Sequence, residues 1–189
     1  MLIKRGNGEM NQKKRTLKDL AGLSTEQLEK IFQKGLTPDP EKLVGWEFNG
    51  YNIPFIAKLI GVKKFKKGFY QQGDEYWGYN IPVEQNPVDQ PWQCRPSDDN
   101  PRRYAFYSVK PVTAQGKENK EPGALILNYG DGRNPVWEGS LLRDYLKQVD
   151  PDNDDLYLAK VYIALGPARA FPTFFIMERH RRAPGEIKR

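Results

Sequence analysis

An antiparallel up-and-down β-barrel of about eight strands with one N-terminal helix is the fold class this sequence predicts. Three observations carry it. From Val44 onward apolar residues recur with period two, turn formers separate these runs, and no helices alternate with them. A meander buries both its edges most simply by closing on itself; a two-sheet sandwich is the competing arrangement.

The elements follow in order. Ser24 and Gln27 have capping-box spacing, Leu28, Ile31 and Phe32 form one apolar stripe, and Gly35 stops the turn, so a helix is expected near 24–34. Pro38 and Pro40 break the chain before Leu43. Strands are expected near 44–51, 64–71, 75–81, 103–112, 123–129, 136–148, 156–165 and 171–179. The clearest is 156–165, where Tyr157, Ala159, Val161, Ile163 and Leu165 share a face. Turns are marked by Gln72-Gly73-Asp74, Gly130-Asp131-Gly132 and Pro151-Asp152-Asn153. One helical turn is expected at 55–60, opened by Pro54 and closed by Gly61. Residues 83–102, rich in Pro, Asp and Asn, form a long loop, either a lid or a surface excursion.

At 189 residues and 21.8 kDa, with 38% apolar residues, the chain fits one domain with one core. Cys94 is the only cysteine, so a disulfide scaffold is excluded. No stretch approaches the ~20 apolar residues of a membrane span, and the N-terminus has no apolar signal core, so a cytoplasmic protein is expected. The net charge of +6 sits at the ends. Residues 1–18 carry +5 and 179–189 carry +4, leaving 19–178 at −3. Residues 1–18 and 180–189 are therefore expected to be basic, flexible tails around a barrel domain at 19–179, with no specific nucleic-acid partner. Lys63, Lys64, Lys66 and Lys67 are expected in a solvated loop, guarding a strand edge.

Exclusions narrow the chemistry. His180 is the sole histidine and lies among arginines, which removes Ser-His-Asp and Cys-His arrangements. One Cys and one His cannot fill a zinc shell, and no nucleotide-cradling glycine motif is present, so no metal or cofactor is expected. Asp150 to Asp155 resembles the start of a calcium loop but lacks its glycine and its closing glutamate, and is expected to be a turn.

The string Gly-Tyr-Asn-Ile-Pro occurs twice, at 50–54 and 78–82. It is either a repeated way of leaving a sheet or a rim where Tyr51, Asn52, Tyr79 and Asn80 face a ligand. Strand 136–148 offers two faces. If Trp137, Leu141, Arg143, Tyr145 and Lys147 point inward, Arg143 and Tyr145 clamp a carboxylate or phosphate. If Glu138, Ser140, Leu142, Asp144 and Leu146 do, Asp144 becomes a buried acid with a raised pKa. Trp46, Trp77, Tyr107, Tyr129 and Phe175 line a cavity or fill a core.

Leu43-Val44-Gly45-Trp46-Glu47-Phe48-Asn49-Gly50 resembles the opening strand of lipocalin-like, or calycin, barrels. A narrower likeness, over Leu59 to Phe65, Ala124 to Tyr129, Asp144 to Asp150 and Pro172 to Arg179, is to the GxWxG family of unknown function. The resemblance implies a barrel and, by analogy, a small apolar ligand.

The leading functional expectation is binding of a small, mostly apolar molecule with one polar or anionic end. The aromatic cavity buries the body, and Arg143, Tyr145 or the Tyr-Asn rim orients the end. The alternative is a cofactor-independent enzyme on a small organic acid, with Asp144 or Glu138 moving a proton. A third reading uses the basic tails on an anionic surface, and a homodimer is compatible with all three.

Overall fold

The computed structural model describes residues 14–53, 61–185 and 187; the helical turn expected at 55–60 lies outside them. Eight strands follow in sequence: β1 (Trp46–Asn52), β2 (Lys64–Gln72), β3 (Glu75–Pro82), β4 (Tyr104–Pro111), β5 (Leu125–Asn128), β6 (Leu142–Gln148), β7 (Leu156–Leu165) and β8 (Ala168–Arg182). Each pairs antiparallel with the next, and β8 returns to β1, so the barrel is closed and no sandwich forms. The inward side chains of all eight strands meet in one aromatic core. Phe48 packs edge-on against Phe69 at 5.5 Å and Tyr157 at 5.6 Å, and Phe65 against Phe175 at 5.2 Å.

Two helices cover the outer wall. Helix α1 (Leu17–Ala21) and helix α2 (Thr25–Lys34) each open on a reciprocal capping box, Thr16 with Asp19 and Ser24 with Gln27. Leu17, Leu20, Leu28 and Phe32 are buried against the outside of the barrel, and Phe32 meets the Phe174 ring edge-on at 6.0 Å. Sequence periodicity misses α1 because five residues are too few to display it. The chain is attached as early as Arg15, whose guanidinium donates to Val149 O at 3.2 Å and pairs with Asp150. At the other end β8 runs on through His180 to Arg182, and Arg181 Nε reaches Glu47 Oε2 at 2.9 Å. Arg15 to Lys18 and His180 to Arg182, expected in the tails, are thus part of the folded body.

Two loops wrap the remaining outer wall. Loop 83–102 lies over β1 and β2, where Trp92 Nε1 donates to Gly50 O at 3.4 Å. Loop 112–124 lies over β6 to β8, where Glu118 meets Arg143 at 2.9 Å and Glu121 meets Lys160 at 2.9 Å. Covering the wall from outside buries β2 on both faces, which overturns the expectation of solvated lysines at an edge. Lys64, Lys66 and Lys67 are all buried, and a closed barrel has no edge to guard. Lys64 Nζ is instead capped by the Asn86 side chain and by the carbonyls of Pro87 at 3.1 Å and Gln90 at 2.9 Å, under the Trp92 ring at 3.9 Å.

Strand 136–148 also needs correcting. Pro135 opens a 3-10 turn at Val136–Glu138, and Gly139, in the left-handed region at φ 91°, ends it, so β6 begins only at Leu142. Trp137 consequently stands 87% exposed on that turn.

The repeated Gly-Tyr-Asn string has a packing explanation. Gly50 pairs across the ladder with Phe65, and Gly78 with Tyr107. Each partner's ring lies flat over the glycine, 2.2 Å from where a Cβ would be. The tyrosines that follow turn outward, Tyr51 under the helices and Tyr79 beneath loop 83–102. The asparagines turn inward, a parity fixed by Asn52 opposite Phe175 and Asn80 opposite Lys67.

Candidate functional site

The only charged pair found inside the barrel among the described residues comes from opposite walls. On β2 the alternation places Phe65, Lys67 and Phe69 on the inner face. On β6 the pairing of Leu146 with Leu125 and of Asp144 with Leu127 puts the second of the two expected faces inward. Lys67 Nζ and Asp144 Oδ2 stand 3.3 Å apart, their side chains 2% and 3% exposed. Tyr129, just past β5, supplies the third member. Its hydroxyl donates to Asp144 Oδ2 at 3.2 Å and accepts from Lys67 and from Asn80 Nδ2, the latter at 3.1 Å. Asn80 Oδ1 takes a further Lys67 proton at 2.9 Å.

The ammonium group is therefore saturated, with its three donors on Asn80, Tyr129 and Asp144. Around it stand the rings of Tyr107 at 4.6 Å, Tyr129 at 4.9 Å, Phe175 at 5.0 Å and Phe65 at 5.5 Å, a cage favourable to a cation. The carboxylate is not saturated. Asp144 Oδ1 is buried without a hydrogen-bond partner among the described residues, and so is Thr173 Oγ1. Both lie on one row of the inner wall, because Asp144 pairs with Val161 and Val161 with Thr173. Loss of water pushes the Asp144 pKa up against the attraction of Lys67, and the same loss pulls Lys67 down against the attraction of Asp144. Burial, then the Asp144 charge, lifts the phenols of Tyr107 and Tyr129 well above their ordinary range. The arrangement holds a proton that can move between an amine, a phenol and a carboxyl group within hydrogen-bonding distance.

Asn80, Tyr129 and Asp144 are thus the expected site residues that converge. The others are dispersed. Arg143 and Tyr145 face outward, where the arginine Nε meets Glu118 Oε1 at 2.9 Å and the phenol donates to Glu118 Oε2 at 3.1 Å. The clamp expected from them is a structural tie for loop 112–124, completed by Arg169 Nε at 2.7 Å. Tyr51 packs under the helices, and Trp77 and Tyr79 share an outer cluster with Cys94. Asn52 Nδ2 donates to Val62 O at 2.9 Å. Trp46 is stacked between Arg179 at 4.6 Å and Arg182 at 4.0 Å. Lys67 was missed, although its place between two phenylalanines at period two is a signal that it shares the apolar face.

Two clefts open on the outer surface. One of about 390 Å³ is lined by Asn49, Trp92, Asp98 and Arg181, and one of about 480 Å³ by Trp46, Lys42, Asp154 and Arg179. Three of the four acids of the 150–155 turn are matched by cations, Asp150 by Arg15, Asp154 by Lys42 and Asp155 by Arg179. No group of three or more metal-ligating side chains occurs among the described residues, and no described helix is long and apolar enough to cross a membrane.

The closed eight-stranded up-and-down barrel with a buried polar cluster defines the class, and it is consistent with a calycin-like fold. Comparison with protein-family models, with curated proteins and with solved structures gives no match in any of the three, so the likeness to the GxWxG family rests on the quoted strings alone.

Proposed function

We propose that the barrel binds a small, mostly apolar molecule whose polar end is a hydrogen-bond donor directed at Asp144. One observation supports this above the rest: Asp144 Oδ1 is a buried acceptor without a partner among the described residues, bordered by a largely aromatic and aliphatic core. A buried carboxylate oxygen left unmatched costs folding free energy, and a donor from a ligand offsets that cost. An anionic end fits less well. Arg143 faces away from the interior, and Lys67 has its three protons already placed.

The test is made on the ligand, so that folding is not disturbed. Calorimetric titration with cinnamyl alcohol, which carries a hydroxyl donor, is compared with its methyl ether, which does not. The alcohol is expected to bind about tenfold more tightly, the worth of one hydrogen bond to a charged group. Equal affinities, or no binding by either, overturn the reading. Native mass spectrometry of the gently purified chain asks the same question without a chosen probe, since a retained ligand adds to the 21.8 kDa mass.

A further inference from the structure

We infer that Lys67 is a carbonyl-capturing amine, which forms a reversible imine with a small aromatic or unsaturated aldehyde held in the barrel, with Asp144 as the counter-ion. The inference rests on the binding reading above and adds a covalent step to it. Three features of the geometry lead there. The amine is primary and 2% exposed, and it stands among aromatic rings rather than in water. Such surroundings suit a flat, conjugated carbonyl compound and protect an imine from hydrolysis. Second, a carboxyl group and a phenol lie within hydrogen-bonding distance of the reacting nitrogen, so protons can be taken up and returned without bulk water. Third, Asp144 has one oxygen on Lys67 and Tyr129 and another unmatched, which leaves it able to receive the proton the amine must lose. Desolvation of the amine favours its neutral, nucleophilic form, as buried Schiff-base lysines require.

The step balances without an added reagent. Lys67 passes a proton to Asp144, and the nitrogen lone pair forms a bond to the carbonyl carbon. The carbonyl oxygen takes a proton from Tyr129 or Asp144, giving a carbinolamine. The nitrogen, still carrying two protons, releases one to Asp144, which passes it to the hydroxyl; that group leaves as water while the nitrogen lone pair forms the protonated imine. Aldehyde and amine give imine and one water; nothing is oxidised or reduced. The protonated imine keeps an N–H directed at Asp144, so the buried ion pair survives the reaction. Its contacts to Asn80 and Tyr129 are the ones exchanged for the new bond.

The test uses the full-length chain and trans-cinnamaldehyde. Sodium cyanoborohydride converts any imine to a stable secondary amine, and peptide mass mapping locates it. Lys67 is expected to carry the label about tenfold ahead of any exposed lysine, because binding holds the carbonyl beside it. A label spread over surface lysines, or absent from Lys67, overturns the inference. Cinnamyl alcohol separates this failure from failure of the binding reading. If the alcohol binds and Lys67 stays unlabelled, the imine is wrong and the binding stands; if the alcohol does not bind and Lys67 stays unlabelled, both fall. The mapping is done on the unsubstituted protein, so it does not depend on whether a Lys67→Met variant folds.

Discussion

Gly78 and Tyr107 face each other across the β3–β4 ladder, and the phenol ring occupies the space a side chain at Gly78 would need. An added Cβ would lie 2.2 Å from Tyr107 Cε2 and 2.4 Å from Cζ. The same ring stands 4.6 Å from Lys67 Nζ, so the glycine sets the position of one wall of the cation's cage.

Gly78→Ala is accordingly expected to force the Tyr107 ring from its place and to destabilise the fold by about 1–3 kcal/mol, the usual cost of overpacking. Gly22 is the contrast. Its backbone is right-handed, at φ −90° and ψ −3°, and no atom lies within 4 Å of an added Cβ. Gly22→Ala should leave stability unchanged or raise it by about 0.5 kcal/mol. Chemical denaturation of the two variants decides between them.

Lys67→Met leaves Asp144 as an unpaired carboxyl group in the core and should cost about 3–5 kcal/mol at neutral pH. Adding Asp144→Leu removes the stranded charge, and the double variant should recover most of that loss. A double-mutant cycle by urea unfolding reads the coupling. Independent, additive losses would mean that the two groups do not depend on each other.

Several parts of this architecture were legible in the sequence, and physical reasons separate them from the parts that were not. The strand run was visible because each strand keeps an alternating face, most plainly Tyr157, Ala159 and Val161 on β7. Helix α2 was visible because Ser24, Gln27 and Gly35 mark its ends. What failed was the environment of charged residues. Lys64 and Lys66 sit on an outer face, and only the fold of loop 83–102 over β2 turns that face into an interior. Hydrophobic periodicity carries no information about such a cover. The start of β6 was misplaced because Val136 and Trp137 have strand-like side chains, while Pro135 and Gly139 decide the backbone. Trp137→Ala, at a position 87% exposed, should therefore change stability by less than about 0.5 kcal/mol. For the site, Asp144 was legible as one of two alternatives, but the choice needed the β5–β6 register.

Glu118 ties loop 112–124 to the barrel, and its contribution should vary with pH. Burial alone would raise its pKa, but the guanidiniums of Arg169 and Arg143 outweigh this and hold it below the ordinary 4.5. The folded state thus binds this proton less readily than the unfolded chain. Stability from Glu118 is present above 4.5 and is lost as pH falls through the lowered folded value. Glu118→Gln is expected to cost about 2 kcal/mol at pH 7, the scale of hydrogen bonds to a charged group. The gap from the parent protein should close below pH 4.5 as the parent carboxylate protonates. Thermal unfolding across pH 3–8 would show it; a gap that stays constant would assign the loss to packing rather than charge.

Lys64 does for loop 83–102 what Glu118 does for loop 112–124, but with one cation serving several carbonyls. Its ammonium group faces Pro87 O, Gln90 O and Pro91 O at 2.9 to 3.3 Å and the Asn86 side chain, while the Trp92 ring closes over it. A methionine of similar length keeps the apolar stem and removes every one of these donors. Lys64→Met should therefore leave the barrel folded but release the loop, because the remaining ladder bonds, such as Glu84 N to Gln93 O at 3.0 Å, hold only its base. Limited chymotrypsin digestion provides the readout, since Trp92, followed by Gln93, lies within the released span. Cleavage there should rise about tenfold, the equivalent of losing about 1.4 kcal/mol of local closure, while the unfolding midpoint moves little. Unchanged cleavage would mean that Trp92 packing, not the buried ammonium group, keeps the loop in place.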